Sequence, residues 1–188
     1  MKIYLIRHGK TAGNALRKYI GATDEGVSDV GFCELAKLPK IKVDMLFCSQ
    51  KKRCLQTAEV LVCCKEKAKI VDGLTECDFG DFENKTAREL EDNAQYISWV
   101  KSGCTTQIPN GESMDIFKNR SVKAFLECVE KSKKAGVEKI AIVAHGGTAM
   151  AVMSSFFSGE FYSYTPENGG GYILWLDGDG KFKNLGKI

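Results

Sequence analysis

Apolar residues in this chain form two kinds of pattern, namely short continuous runs and longer stretches with helical spacing. The short runs are typical of strands that are buried on both faces. They occupy residues 2–6, 43–49, 68–71 and 139–145. Two further runs, 171–177 and 181–185, flank a Gly-Asp-Gly turn, which predicts a hairpin.

The longer stretches have apolar residues at the spacing of amphipathic helices. Ser28 is a suitable N-cap for the first of them, and Pro39 lies where that helix is expected to stop. Polar or glycine-containing segments at 74–86 and 103–111 predict loops. The predicted helices cover residues 29–38, 51–67, 86–101, 113–134 and 148–157.

Strands that alternate with helices predict a layered α/β fold with a mostly parallel sheet. A length of 188 residues suits one well-buried core, so we expect a single domain over residues 1–188. In such sheets, ligands bind at the carboxyl ends of the strands. Candidate functional residues are therefore expected directly after the predicted strands.

Composition excludes several classes of protein. The chain is 44% hydrophobic and 27% charged, with a net charge of +3 spread without a basic stripe, so we expect no nucleic-acid partner. No apolar run approaches the ~20 residues of a membrane span, and no leader sequence is recognisable. We therefore expect a cytoplasmic location and no membrane partner. The sequence does not indicate an oligomeric state.

The eight cysteines do not predict a metal site or a disulfide framework. They form no C-x-x-C motif, and two histidines are too few to complete a zinc cluster. We interpret them as reduced thiols, of which some pack as small hydrophobes. They are Cys33, Cys48, Cys54, Cys63, Cys64, Cys77, Cys104 and Cys128.

The only two histidines, His8 and His145, each follow an apolar run and precede a glycine. A single histidine after a strand is more often structural than catalytic. If strands 2–6 and 139–144 are parallel neighbours, however, both rings emerge at one edge of the sheet and face each other. The following glycines, including Gly146, allow backbone amides to approach an anion closely. Together these features favour an anion-binding catalytic site.

Two arginines and one carboxylate complete the candidate site. Arg7 adjoins His8, and Arg53 begins a predicted helix, where a cation is unfavourable unless an anion lies nearby. A guanidinium suits phosphate oxygens, although Arg7 alone is also compatible with a surface ion pair, and Arg53 with a solvated helix residue. Glu76 lies among apolar Leu74, Phe79 and Phe82, which would raise its pKa towards neutral pH. Spacing alone does not separate Glu76 from its acidic neighbours, which we interpret as surface carboxylates: Asp78, Asp81 and Glu83.

Six segments in order resemble the histidine phosphatase superfamily, also called phosphoglycerate-mutase-like. They are LIRHGKTAGN (5–14), GATDEGVSDVG (21–31), CSQKKRCLQTAE (48–59), LTECDFGDFE (74–83), and PNGES (109–113) with IAIVAHGG (140–147) after it. Val27 replaces the usual leucine, Gln50 a frequent proline, and Lys10 a commoner acidic or amide residue. The resemblance covers nearly the whole chain.

The resemblance implies a three-layer α/β/α sandwich and a phosphate monoester as substrate. It makes His8 the nucleophile that becomes a phosphohistidine, and Glu76 the general acid and base. Arg7, Arg53 and His145 would bind the three non-bridging oxygens. Asn14 would add a neutral donor, and Glu112 and Ser113 would support the loop of the acid. Because two arginines supply the positive charge, no metal ion or other cofactor is required.

The resemblance leaves three functions open. Mutases of this superfamily are usually longer, with a tail over the site, whereas here the strand KFKNLGKI runs to the last residue. We therefore expect a phosphatase rather than a phosphoglycerate mutase. A non-catalytic phosphate-binding module is disfavoured because every expected catalytic residue is present.

Among phosphatases, RKYIGATDEGVSDVG (17–31) is similar to the α-ribazole phosphatases of cobalamin synthesis. Four aromatic residues offer two readings, since they suit either stacking on a nucleoside-like leaving group or core packing. Core packing is slightly favoured. These residues are Phe79, Phe82, Tyr96 and Trp99.

Overall fold

The computed structural model describes all 188 residues and is organised around one mixed β-sheet. The protein has eight strands in all: β1 (Lys2–Arg7), β2 (Ile41–Lys42), β3 (Met45–Cys48), β4 (Val62–Cys63), β5 (Lys69–Ile70), β6 (Lys139–Ala144), β7 (Gly171–Leu176) and β8 (Phe182–Lys187). The main sheet has six strands in the order β5-β3-β6-β1-β7-β8, and β2 pairs with β4 separately. The four strands β5, β3, β6 and β1 run parallel. The predicted hairpin is confirmed, because β7 and β8 pair antiparallel.

Six α-helices connect or cover these strands. They are α1 (Ala12–Ala15), α2 (Asp29–Ala36), α3 (Lys52–Leu61), α4 (Ala94–Lys101), α5 (Met114–Lys134) and α6 (Gly146–Phe156). Ser28 and Ser113 cap α2 and α5, since their hydroxyls accept hydrogen bonds from the amides of Gly31 and Ile116. None of the helices combines the length and apolar character that crossing a bilayer requires.

Three predicted helix boundaries are wrong. The helix predicted over 51–67 ends at Leu61, because the next two residues extend and pair with β2. The helix predicted over 86–101 begins only at Ala94, after the Asn93 side chain accepts hydrogen bonds from two backbone amides, and residues before it form turns. The last predicted helix starts at Gly146 rather than residue 148.

Buried side chains on the two faces of the sheet belong to two separate apolar clusters. On β6, Ile140 and Ile142 belong to a cluster with residues of α5 and α6. Ala141 and Val143 belong instead to a cluster with residues of α2 and α3. Because successive side chains on a strand point to opposite faces, helices cover both faces of the sheet. The predicted three-layer α/β/α arrangement is therefore present.

A third apolar cluster lies outside these two layers. It is formed by the segment from Cys77 to Ile108, including α4, packed on Phe117 of α5 and Ala151 of α6. This cluster contains Phe82, Tyr96 and Trp99, whose rings contact one another edge-on or tilted. It places the predicted acidic loop beside the start of α6.

Candidate active site

The two histidines lie side by side at the carboxyl edge of the sheet. Strands β1 and β6 are parallel neighbours, with Arg7 opposite Ala144. The rings of His8 and His145 therefore emerge at equivalent positions, 5.2 Å apart between centroids and inclined by 68°. Both side chains are almost fully buried, at 4% and 0% exposure.

Backbone contacts hold His8 in one tautomer. Its Nδ1 lies 2.8 Å from the carbonyl oxygen of Gly9, and because a carbonyl only accepts, Nδ1 carries the proton. Nε2 therefore keeps its lone pair. Burial, followed by the positive charge of Arg53, lowers the pKa of His8 to about 3, so the ring is neutral at physiological pH. The Gly9 amide is fixed in turn by donating to Thr57 Oγ1 at 2.8 Å.

His145 is held in the opposite tautomer. The Nε–H of Arg53 donates to its Nδ1 at 3.3 Å, so Nδ1 is the acceptor. Its Nε2 then carries the proton and donates to Ser49 Oγ at 2.9 Å. Burial is the main reason that the pKa of His145 is also lowered, with the charges of neighbouring residues acting in the same direction.

Arg53 is a fully buried cation in the first turn of α3. Its terminal nitrogens donate to the carbonyl oxygens of Thr23, at 2.7 Å, and Gly21, at 3.1 Å. No carboxylate lies within ion-pair distance of it. A buried charge without a counter-ion is costly, so this arrangement favours an anion at the site.

Arg7 approaches the same place from β1. One of its terminal nitrogens donates to the carbonyl of Pro166 at 2.7 Å, whereas its buried Nε has no protein partner. Gly146, the first residue of α6, lies directly against it: a Cβ added there would be 3.3 Å from Arg7 Nε. The glycine thus allows the guanidinium and the start of α6 to converge.

The start of α6 also orients Glu76. One carboxylate oxygen accepts a hydrogen bond from the Gly147 amide at 2.9 Å, and the other from the Cys77 amide at 3.1 Å. A Cβ at residue 147 would lie only 2.2 Å from Glu76 Oε1, so this contact requires glycine. Burial raises the pKa of Glu76, while the two amides and both site arginines act in the opposite direction.

An ion pair supports the loop that carries Glu76. Glu112 makes a two-pronged contact with Arg120, at 2.9 and 2.6 Å, and also accepts from the amide of Asp78. Arg120 additionally donates to the backbone carbonyls of Thr75 and Glu76, at 2.9 and 3.2 Å. Glu112 therefore acts on the loop directly and through Arg120. Ser113, by contrast, contacts the amide of Ile116 as the cap of α5.

Asn14 is oriented by a residue that the sequence did not single out. Its Oδ1 accepts from Asn168 Nδ2 at 3.0 Å and from the Thr11 amide at 3.3 Å. This leaves the Asn14 amide nitrogen as the free donor. The same Asn168 amide group lies 3.2 Å from the carbonyl of His8, so it connects the histidine and asparagine segments.

The interpretation of Glu83 as a surface carboxylate is wrong. It is half-buried, and its oxygens accept from the amides of Gly21 and Ala22, at 2.9 and 2.7 Å, and from the Thr23 hydroxyl at 2.9 Å. Two of these residues, Gly21 and Thr23, provide the carbonyls that hold Arg53. Asp81, by comparison, is exposed and contacts only Asn110 through its side chain.

The four aromatic residues that suited either stacking on a leaving group or core packing occupy two different places in the structure. Phe79 and Trp99 line a cavity of about 310 Å³ beside Glu76. Phe82 and Tyr96 are not in its lining and are buried in the third apolar cluster. Core packing therefore describes Phe82 and Tyr96 fully, whereas Trp99 belongs to the same buried cluster and also lines the cavity.

Sequence reasoning missed several supporting residues. Ser49 and Thr57 lie inside the segment CSQKKRCLQTAE (48–59) that resembles the superfamily, so the motif itself carried their signal. Arg120 and Asn168 lie outside every recognised motif, and only their spatial contacts reveal them.

Two imidazoles, two guanidiniums and a carboxyl group thus meet at the carboxyl edge of the central sheet. This set of groups suits the binding of a tetrahedral anion beside a neutral imidazole. The family model of the histidine phosphatase superfamily (branch 1) matches residues 3–182. The chain belongs to this superfamily, as its motifs indicated.

Individual relatives agree with this assignment. A protein of Hydrogenobacter thermophilus named "Putative phosphoserine phosphatase 2" is 30% identical over 159 residues, covering 81% of this chain and 76% of the relative. The adenosylcobalamin/alpha-ribazole phosphatase of Escherichia coli is 28% identical over 154 residues, covering 78% and 74%. The crystal structure of the alpha-ribazole phosphatase from Shigella flexneri matches with a TM-score of 0.81 at 23% identity, over 98% of this chain and 94% of that chain. The predicted fold class is confirmed.

Proposed function

We propose that the protein is a metal-independent phosphatase that hydrolyses a small-molecule phosphate monoester through a phosphohistidine at His8. The observation that carries this proposal is the 5.2 Å separation of the His8 and His145 rings. It brings a neutral imidazole with a free Nε2 next to the buried, uncompensated charge of Arg53.

The first chemical step forms a bond between His8 Nε2 and phosphorus and breaks the bond between phosphorus and the ester oxygen. The leaving alkoxide takes the proton of the Glu76 carboxyl group, whose pKa is raised by burial. In the second step Glu76 accepts a proton from water, which attacks phosphorus and releases phosphate and free His8. The Nδ1–H bond from His8 to the Gly9 carbonyl orients the ring throughout.

The phosphoryl oxygens are stabilised by Arg7, Arg53, Asn14 and the Gly146 amide. Arg7 Nε is an unpartnered buried donor, and Arg53 retains further N–H groups beyond those bound to carbonyls. Because Arg53 already donates to His145, we expect a phosphoryl oxygen to replace His145 Nδ1 as the acceptor of that bond. His145 then takes up at Nδ1 the proton of the bound monoester monoanion, and the new N–H donates a hydrogen bond to a phosphoryl oxygen.

Hydrolysis of p-nitrophenyl phosphate in the presence of EDTA tests this function. We expect activity in the wild type and its loss in His8→Asn, which keeps a donor for the Gly9 carbonyl but has no nucleophile. Rapid quenching with ³²P-labelled substrate should trap a label that acid removes and base does not. Activity in His8→Asn, or a label retained by that variant, would contradict the role of His8.

Among substrates, α-ribazole 5′-phosphate is the candidate that the aromatic cavity beside Glu76 favours. A phosphoglycerate mutase must bind a carboxylate, and Glu76 is the only charged side chain in the lining of that cavity. Incubation with 3-phosphoglycerate and a bisphosphate primer separates the two functions. We expect no isomerisation, and measurable 2-phosphoglycerate would favour the mutase.

A further inference from the structure

Glu76 lies between two cavities of opposite chemical character. One is the apolar cavity beside Phe79 and Trp99, in which 11 of the 13 lining residues are hydrophobic. The other, which we call the polar cavity, also has a volume of about 310 Å³, but only one of its nine lining residues is hydrophobic. Glu76 is the only residue that lines both cavities. The general acid and base of the proposed reaction therefore adjoins an apolar space and a polar one.

The lining of the polar cavity has hydrogen-bonding capacity that the protein itself does not use. The Lys51 ammonium donates to the carbonyl of Ala22 and lies within ion-pair distance of no carboxylate, so it retains further N–H donors. One carboxylate oxygen of Asp78 accepts from the Gly80 amide at 2.9 Å, which leaves the other oxygen as an acceptor. Gln50 adds an exposed side-chain amide. An ordered water needs about two to four polar partners, and this lining can supply them.

The polar cavity adjoins the phosphate site as well as the carboxyl group. Gly21 is part of its lining, and the Gly21 carbonyl accepts from the Arg53 guanidinium at 3.1 Å. Thr75, directly before Glu76, is also part of the lining, and its carbonyl accepts from Arg120 at 2.9 Å. Water in this cavity is therefore adjacent both to the group that must remove its proton and to the residues that bind the phosphoryl group.

We propose that the polar cavity supplies the water that hydrolyses the phosphohistidine, while the apolar cavity receives the leaving alcohol. The inference rests on the proposed function and gives its second step a separate place in the structure. Water moves from the polar cavity to the position that the ester oxygen has vacated, opposite His8 Nε2. The water oxygen bonds to phosphorus as the bond between Nε2 and phosphorus breaks. Glu76 takes one proton of the water, and the other leaves with the hydrogen phosphate dianion.

Two substitutions make the lining of the polar cavity apolar without changing a residue of the proposed catalytic site. They are Ala22→Leu and Gln50→Met, both at exposed positions of the lining. Apolar side chains offer water no hydrogen bonds, so the cavity should hold less of it. Ala22→Asn is the matched control, because asparagine has nearly the shape of leucine but retains a donor and an acceptor.

Rapid quenching with ³²P-labelled p-nitrophenyl phosphate measures the two chemical steps separately. This substrate has no hydroxyl or charged substituent for the polar cavity to bind, so it isolates water supply from substrate recognition. In the double variant Ala22→Leu/Gln50→Met, we expect the labelled enzyme to decay about tenfold more slowly after a chase with unlabelled substrate. The burst of p-nitrophenol that reports phosphorylation should stay within about threefold of the wild-type rate. Ala22→Asn should show the wild-type lifetime of the label.

An unchanged lifetime of the label in the double variant would overturn the inference, because water would then arrive along the path of the leaving alcohol. Equal slowing in Ala22→Asn would also overturn it, since altered structure rather than lost polarity would be the cause. Should the double variant not fold, Gln50→Met alone is expected to extend the lifetime by about threefold, and no extension would overturn the inference. A wild type that forms no labelled enzyme would instead overturn the proposed function, so the two failures are distinguishable.

Discussion

The Nε–H of Arg53 donates to Nδ1 of His145 across 3.3 Å, so a cation and a histidine share one buried hydrogen bond. A guanidinium has no acceptor, which means that His145 must present a lone pair at this nitrogen. The bond fixes the imidazole in its neutral form and places positive charge beside His8, the proposed nucleophile. The bond also links α3 to the residue that follows β6, and no local sequence signal specifies this contact.

Replacing Arg53 by lysine tests whether its shape matters beyond its charge. Arg53 donates in three directions, to His145, Thr23 and Gly21, and an ammonium cannot reproduce this planar fork. We expect Arg53→Lys to lower kcat/KM for p-nitrophenyl phosphate by about 100-fold or more. Arg88→Lys, on the exposed surface, is the control and should be unchanged. Similar activity in both variants would contradict the oriented role of Arg53.

The buried neutral state of His8 predicts a specific dependence of stability on pH. Its pKa is about 3 in the folded protein against 6.5 for the free group, so between these values the unfolded chain binds a proton that the native state does not. The free energy of unfolding should therefore fall as pH drops below about 6.5, by about 1.4 kcal/mol per pH unit from this group.

His8→Asn removes this contribution while retaining a donor for Gly9. Urea unfolding between pH 6 and pH 4.5 should give a pH slope that is shallower by about 1.4 kcal/mol per unit than that of the wild type. His145 keeps its own contribution in both proteins, since its pKa is lowered in the same direction. Parallel profiles for the two proteins would show that His8 is not buried as a neutral ring.

Glu76→Gln tests the proposed role of Glu76 as general acid. Because only the protonated carboxyl group can serve the leaving alkoxide, kcat should decline as pH rises through the raised pKa of Glu76. The variant should lose this basic limb and about 10²–10⁴ in kcat on an alkyl phosphate. The loss should be much smaller on p-nitrophenyl phosphate, whose leaving group needs little protonation.

Asp81→Asn, an exposed change in the same loop, is the control for Glu76→Gln and should retain the wild-type profile. Equal losses on alkyl and p-nitrophenyl esters in Glu76→Gln would assign Glu76 to structure rather than proton transfer.

Glu83 is expected to position Arg53 through the backbone of residues 21–23. In Glu83→Gln one carboxylate oxygen becomes an amide nitrogen that faces amide donors, so hydrogen bonds are lost and the free energy of unfolding should fall by about 1–3 kcal/mol. KM should rise because the carbonyls that orient Arg53 shift. Thermal unfolding and phosphatase assays, with exposed Glu91→Gln as the control, measure both effects. An unchanged KM would limit Glu83 to a stabilising role.

Much of the fold was predictable because strand and helix patterns are local. The runs that form β1, β6 and the β7–β8 hairpin are apolar over consecutive residues, and the parallel arrangement brings His8 and His145 to one edge. Helix boundaries were less predictable. The apolar spacing of α3 continues past Leu61, yet pairing of the next residues with β2 ends the helix.

The sequence by itself determined which chemical groups the site can use, because it specifies the residue types and the strands that they follow. Only the tertiary structure decided which of several similar side chains occupies each place in the site. Glu76 differs from its acidic neighbours because the Gly147 amide, 71 positions away, lies 2.9 Å from its carboxylate. Likewise Trp99 lines a cavity while Tyr96, three residues earlier, packs behind it. Such choices depend on contacts between segments distant along the chain, and no local pattern encodes those contacts.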